Sequence, residues 1–110
     1  MSTNAVIRVE GFATAEVYKH WDGYPESTLP WLEAFNKEFA SQRGVDPNYK
    51  FAQLLRSSVA DAEKFHLDTS RCTGWGVFPV GSSYFNYLYI LKEDGTVEVK
   101  TEDGEAFSDE

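Results

Sequence analysis

Asp46-Pro47-Asn48-Tyr49-Lys50-Phe51-Ala52-Gln53-Leu54-Leu55-Arg56-Ser57-Ser58-Val59-Ala60-Asp61-Ala62-Glu63-Lys64-Phe65 is the stretch on which the fold turns. An aspartate followed by proline opens a helix. The carboxylate accepts from the unpaired N–H groups of the first turn, and proline at the first helical position lacks only an N–H that would be unpaired there anyway. Phe51, Leu54, Leu55, Val59, Ala62 and Phe65 then fall on one apolar face. The segment before it follows the same logic. Ser27-Thr28 supplies N-cap hydroxyls ahead of Pro30, Leu32, Phe35 and Phe39 recur at helical spacing, and Arg43-Gly44 is a stop. Two consecutive amphipathic helices need a common apolar surface to cover.

The flanking sequence supplies that surface as strands. Val6-Ile7-Arg8-Val9-Glu10 alternates apolar and polar and ends at Gly11, and Ala13 to Trp21 is a second extended run ending at Asp22-Gly23. These two pair as a hairpin. After His66 the period changes: Gly74 to Gly81 reads as a strand weakened by glycine, Tyr84 to Leu91 as an aromatic-rich strand, and Glu93-Asp94-Gly95 as a hairpin turn into Thr96-Val97-Glu98-Val99-Lys100. The order β-β-α-α-β-β-β predicts an α+β domain, a mostly antiparallel sheet with two helices packed on one face. Residues 1–101 form this single domain, and residues 102–110, without apolar periodicity, form an acidic mobile tail.

Composition narrows the function classes. The chain has 110 residues, 42% of them apolar and 15% aromatic, enough for one core. One cysteine, Cys72, has no CxxC partner and fits a reducing compartment. The start Met1-Ser2-Thr3-Asn4 lacks secretory-signal features and no apolar run approaches a membrane span, so the expected location is the cytoplasm, with no membrane partner. The net charge of −8 is concentrated: residues 93–110 hold eight acids against Lys100, while residues 1–92 hold 10 acids and 9 bases. The basic residues are scattered, which argues against direct nucleic-acid binding. An acidic surface suits a basic groove on a partner protein.

No enzyme class is supported. His20, His66, Asp68 and Cys72 have no metal-ligand spacing, Gly74-x-Gly76 is not a phosphate loop, and Ser82-Ser83 lacks a nucleophile elbow. No catalytic residue, metal or cofactor is assigned. The densest chemistry lies in Tyr18-Lys19-His20-Trp21-Asp22-Gly23-Tyr24-Pro25-Glu26. Strand alternation sets Tyr18 and His20 on one face, with Asp22 able to curl towards the imidazole as in a general-base pair. Packing explains the same residues equally concretely, with Asp22 opening a turn, Trp21 and Tyr24 packing, and His20 satisfying a backbone carbonyl. The possible site is therefore Tyr18, His20, Trp21, Asp22 and Tyr24, the alternative function being a small-molecule site or enzyme centred on His20 and Asp22.

The string Tyr18-x-His20-Trp21-Asp22-Gly23-Tyr24-Pro25-Glu26, followed by a leucine and a helix with regular aromatics, resembles a group of small uncharacterised proteins of bacteria and their phages. The resemblance covers roughly residues 5–99. It implies no activity, but it implies a phage or prophage setting, in which small acidic anti-CRISPR inhibitors occupy basic surfaces that defence complexes use for nucleic acid. The expected function is accordingly a phage-type accessory protein that binds and inhibits a host protein complex. Its expected contact residues are Glu93, Asp94, Glu98, Glu102, Asp103 and Glu105, with Tyr87 and Tyr89 as aromatic anchors if their strand face is exposed. The same aromatic face would suit a homodimer.

Overall fold

A computed structural model describes residues 3–20, 23–64 and 74–102, with the backbone alone over 58–64. The first hairpin forms as its sequence requires: β1 (Ala5–Val9) and β2 (Phe12–Lys19) pair antiparallel around Gly11, whose φ of 89° is left-handed. A second hairpin joins β4 (Tyr87–Leu91) to β5 (Val97–Thr101) through Gly95, φ 95°. Both turns place glycine where a side chain would strain the backbone.

The two hairpins meet through β1 and β4, which run parallel with Ile7 opposite Tyr89, and β3 (Trp75–Pro79) adds antiparallel to β2. The resulting five-stranded mixed sheet has the order β3-β2-β1-β4-β5. Both helices pack on one face of it. α1 (Pro25–Arg43) lies against β4 and β5, and α2 (Pro47–Lys64) against β1 and β2. Ile7, Val9, Val17, Tyr89 and Leu91 from the sheet meet Leu32 of α1 and Phe51 and Leu54 of α2, all essentially buried. The two helices are joined by Trp31 Nε1, which donates to Ser57 Oγ at 2.8 Å.

α2 begins as expected, with Asp46 as cap: its Oδ1 accepts from Tyr49 N–H and its carbonyl from Lys50 N–H. α1 begins earlier than the Ser27-Thr28 reading predicts. Pro25 takes the first helical position, the Tyr24 carbonyl accepts from Ser27 and Thr28 N–H, and Pro30 lies inside the helix. The physical reason is that Pro25 already has the φ of a helix start and no N–H to leave unpaired, and Thr28 is needed in the core, where it is 1% exposed. Phe65, the segment to Cys72 and the predicted tail from Asp103 lie outside the described residues.

The opposite sheet face carries Val6, Arg8, Glu16, Tyr18 and Leu88. β3 and β4 are parallel and separated by two strands, so residues 80–86 must travel back along the sheet. This crossing segment is fixed at both ends: Gly81 N–H donates to Glu16 Oε1 at 3.1 Å, and Asn86 N–H to Asn4 Oδ1 at 2.8 Å. Glu16 is fully buried and also takes Arg8 Nε at 2.8 Å. A charge held out of water needs such a partner.

Candidate functional site

Two features meet at the end of the sheet where β1 begins and β5 ends. The first is a chain of polar side chains. Asn4 and Asn86 exchange side-chain oxygens for each other's backbone N–H, at 2.8 and 3.1 Å. Because each Oδ1 is thus fixed as an acceptor, each Nδ2 must point the other way. Asn4 Nδ2 donates to Tyr18 Oη at 3.1 Å and Asn86 Nδ2 donates to Glu102 Oε2 at 3.0 Å. Tyr18 Oη in turn lies 2.9 Å from His20 Nδ1, and Tyr84 Oη donates to Glu102 Oε2 at 2.9 Å. That bond favours the neutral phenol, holding the Tyr84 hydroxyl above the usual tyrosine range. His20 therefore has a tyrosine hydroxyl at Nδ1. Trp21 and Asp22 lie outside the described residues.

The second feature is a cleft of about 390 Å³ at the start of α1. Tyr24, at the N-cap, and Tyr87, at the start of β4, both line it and form a tilted ring pair with centroids 6.4 Å apart and planes at 53°. Leu29, Pro25 and Pro30 supply apolar lining, and Glu26 and Glu33, two turns apart on the helix, supply carboxylates. Among the described residues no lysine or arginine pairs with Glu26, Glu33 or Glu102. A second cavity, about 350 Å³ between the helices, is lined by Phe35, Glu38, Phe39, Gln42, Arg43 and Gln53 and so contains its own cation.

The acids of the β4–β5 turn behave differently. Lys92 Nζ lies 3.0 Å from Glu10 Oε2 and 4.0 Å from Glu98 Oε1, and Glu10 Oε1 accepts from Glu93 N–H. These contacts hold the Glu10 carboxyl below the usual range, the Glu93 backbone bond first and Lys92 second, and raise Lys92. Asp94 spends its Oδ1 on Thr96 N–H and Oγ1, which lowers its carboxyl too. Lys50, 2% exposed, reaches the same turn through the Lys92 carbonyl at 3.3 Å. Glu93 and Asp94 thus lie in a turn that also holds Lys92 and Lys50, which offset part of its negative charge, and they sit at the opposite end of β5 from Glu102. The expected acidic contact surface is divided between the two ends of one strand. Asp103 and Glu105 lie outside the described residues.

The aromatic expectation needs one correction. The face of β4 that carries Tyr87 and Tyr89 is the one the helices cover, and Tyr89 is 0% exposed with its hydroxyl on Gly23 C=O. It is a core residue and no contact anchor. Tyr87, at the strand's start, escapes full cover and lines the cleft with Tyr24. Glu33, Asn4 and Asn86 were not singled out from sequence, and Glu26 only as the end of the Tyr18–Glu26 string. For the two glutamates a signal existed, since Glu26, Leu29, Pro30 and Glu33 share one helical face; for the asparagines, 82 residues apart, none did.

Comparison with protein-family models, curated proteins and solved structures gives no match to the chain.

Proposed function

We propose that this chain is a protein-binding module of the accessory or inhibitory kind, and that its cleft end takes a lysine or arginine side chain from a basic partner surface. The observation that carries this reading is the cleft itself: two tyrosine rings, an apolar wall, and Glu26 and Glu33 without a cation of their own among the described residues. An aromatic face attracts a cation through its quadrupole, contributing about 0.5–2 kcal/mol, and an exposed carboxylate adds up to about 1 kcal/mol. Glu102 extends the negative field at the same end. The natural counterpart is a surface rich in Lys and Arg, such as one that otherwise holds nucleic acid. Covering that surface is inhibition by occupancy, the mode the phage-type resemblance implies.

The test is a titration of the full chain with a short tetralysine peptide, followed residue by residue by NMR. Summing the contributions above gives an affinity on the order of millimolar, weakening as salt shortens the screening length. Shifts concentrated on Tyr24, Leu29, Glu33 and Tyr87, and lost in Glu26→Gln/Glu33→Gln, support the reading. Shifts centred on Glu93 and Asp94, or binding that the double variant leaves intact, overturn it. His20→Ala serves as the control: it leaves the titration unchanged unless the His20 region is the site.

A further inference from the structure

Hydrogen-bond direction identifies which backbone groups of β3 face outward. His20 N–H donates to Gly74 C=O at 2.7 Å, and the register continues as Lys19 with Trp75, Tyr18 with Gly76, Val17 with Val77, Glu16 with Phe78 and Ala15 with Pro79. Bonded and non-bonded pairs alternate in an antiparallel ladder. Gly74, Gly76 and Phe78 therefore turn N–H and C=O towards β2, and Trp75 and Val77, with the Pro79 carbonyl, turn theirs to the outer edge, beyond which the sheet has no further described strand. Pro79 agrees with the assignment, since it lacks an N–H and sits where β2 requires none.

The two edges of the sheet are protected differently. β5 carries Glu98 and Lys100. β3 carries no charge, and neither does any residue from 74 to 91. Exposed edges are usually guarded by charge, proline or a bulge, because their unpaired groups template another strand. Here, among the described residues, only Pro79, at the far end, does so, while Val77 is 50% and Phe78 43% exposed.

We infer that β3 pairs antiparallel with β3 of a second copy about a two-fold axis through Gly76. In this register Trp75 of each copy lies opposite Val77 of the other, and each such pair exchanges both hydrogen bonds. The register centred on Val77 instead sets Trp75 against Pro79, which has no N–H and whose carbonyl already accepts from Ser82 N–H at 3.1 Å and Ser82 Oγ at 2.7 Å. Each Phe78 ring leans over its own Gly76, where an added Cβ would meet it at 3.0 Å. The two rings then close over the paired glycines. A second copy is the occupant because the register is self-complementary and because each chain carries −8. An uncharged strand is where two such chains meet with least repulsion. The pairing does not depend on the cleft.

So short a ladder gives a small interface, with a dissociation constant on the order of tens of micromolar. The experiment is sedimentation velocity of the full chain from about 5 to about 500 µM, bracketing that value. The expected result is a mass that moves from monomer to dimer. Val77→Pro removes only an outward N–H, and Val77→Lys brings ammonium groups together beside the axis; both stay monomeric with native circular dichroism. Val45→Lys, at a 63% exposed site between the helices, dimerises like the parent. A monomeric parent at every concentration overturns the proposal, as does a dimer that persists in Val77→Lys, a variant that decides the matter even if Val77→Pro does not fold.

Discussion

Tyr89 Oη donates a 2.6 Å hydrogen bond to the carbonyl of Gly23 inside the core, tying the central parallel strand to the segment that enters α1. Burial raises the phenol above the usual tyrosine range, so the hydroxyl keeps the proton that this bond requires. Tyr89→Phe preserves the ring and removes the donor. Leaving a buried carbonyl unpaired costs about 1–3 kcal/mol, and a urea midpoint lowered with an unchanged m-value is the expected reading. A loss under about 0.5 kcal/mol would mean that another donor takes over.

Gly23 is required for space. A Cβ there would lie 2.7 Å from the carbonyl carbon of Asn4 and 2.9 Å from both the N and the Cβ of Ala5, and backbone atoms have no rotamer in which to retreat. Gly23→Ala should cost at least about 1–3 kcal/mol as an overpacked site, read as a fall of several degrees in Tm. The same variant should loosen the Tyr24 side of the cleft, visible as shifted Tyr24 and Tyr87 ring resonances.

Asn36 holds the β4–β5 turn from α1. Its Nδ2 donates to the carbonyls of Lys92 at 3.0 Å and Thr96 at 2.7 Å, and the residue is 0% exposed. Asn36→Ala removes these bonds but leaves both carbonyls with backbone donors, Gly95 N–H and Lys92 N–H. It should cost about 1–2 kcal/mol. Asn36→Asp sets a carboxylate against two carbonyl oxygens and should cost more than the alanine variant at pH 7, the gap closing as acid protonates it. The reverse order in chemical denaturation would refute this account.

Lys50 predicts a pH dependence. Burial lowers its ammonium below the usual lysine range, with Glu93, Glu10 and Asp94 opposing that shift. Below its folded-state pKa the folded chain must hold a charge out of water that the unfolded chain holds in it. Between that pKa and the ordinary lysine value the unfolded state binds more protons, so the parent gains stability as pH rises. Lys50→Met should equal or exceed the parent in Tm at pH 7, with the difference shifting in the parent's favour towards pH 10. The Lys92 carbonyl stays satisfied by Asn36 and Gly95. A difference that moves in the methionine variant's favour with rising pH would overturn the prediction.

Local chemistry decided the elements. The α+β order was legible because each boundary is signalled within a few residues: Asp46-Pro47 for α2, Gly44 for the end of α1, Gly11 and Gly95 for the hairpin turns. The site was less legible. Tyr87 and Tyr89 were rightly set on one strand face by period, but β4 is apolar on both faces, with Leu88 4% exposed on the other side. Alternation alone cannot say which face of such a central strand meets helices. Nor does a count of acids reveal that Lys92 pairs with Glu10 and Glu98 beside Lys50 at one end of the sheet, while Glu26 and Glu33 stand at a cleft at the other.

What the sequence determined by itself is the set of helices, strands and tight turns, because capping, glycine torsions and hydrophobic period act over a few residues. What only the tertiary structure decided is the parallel meeting of β1 with β4, the reciprocal Asn4 and Asn86 bonds, and the edge position of β3. Each joins segments tens of residues apart. Backbone groups pair alike whatever side chains they carry, so the partner of a strand is chosen by how the whole sheet buries its faces. For the same reason the outward N–H groups of β3, on which self-pairing rests, have no counterpart in the string of letters Trp75-Gly76-Val77-Phe78-Pro79.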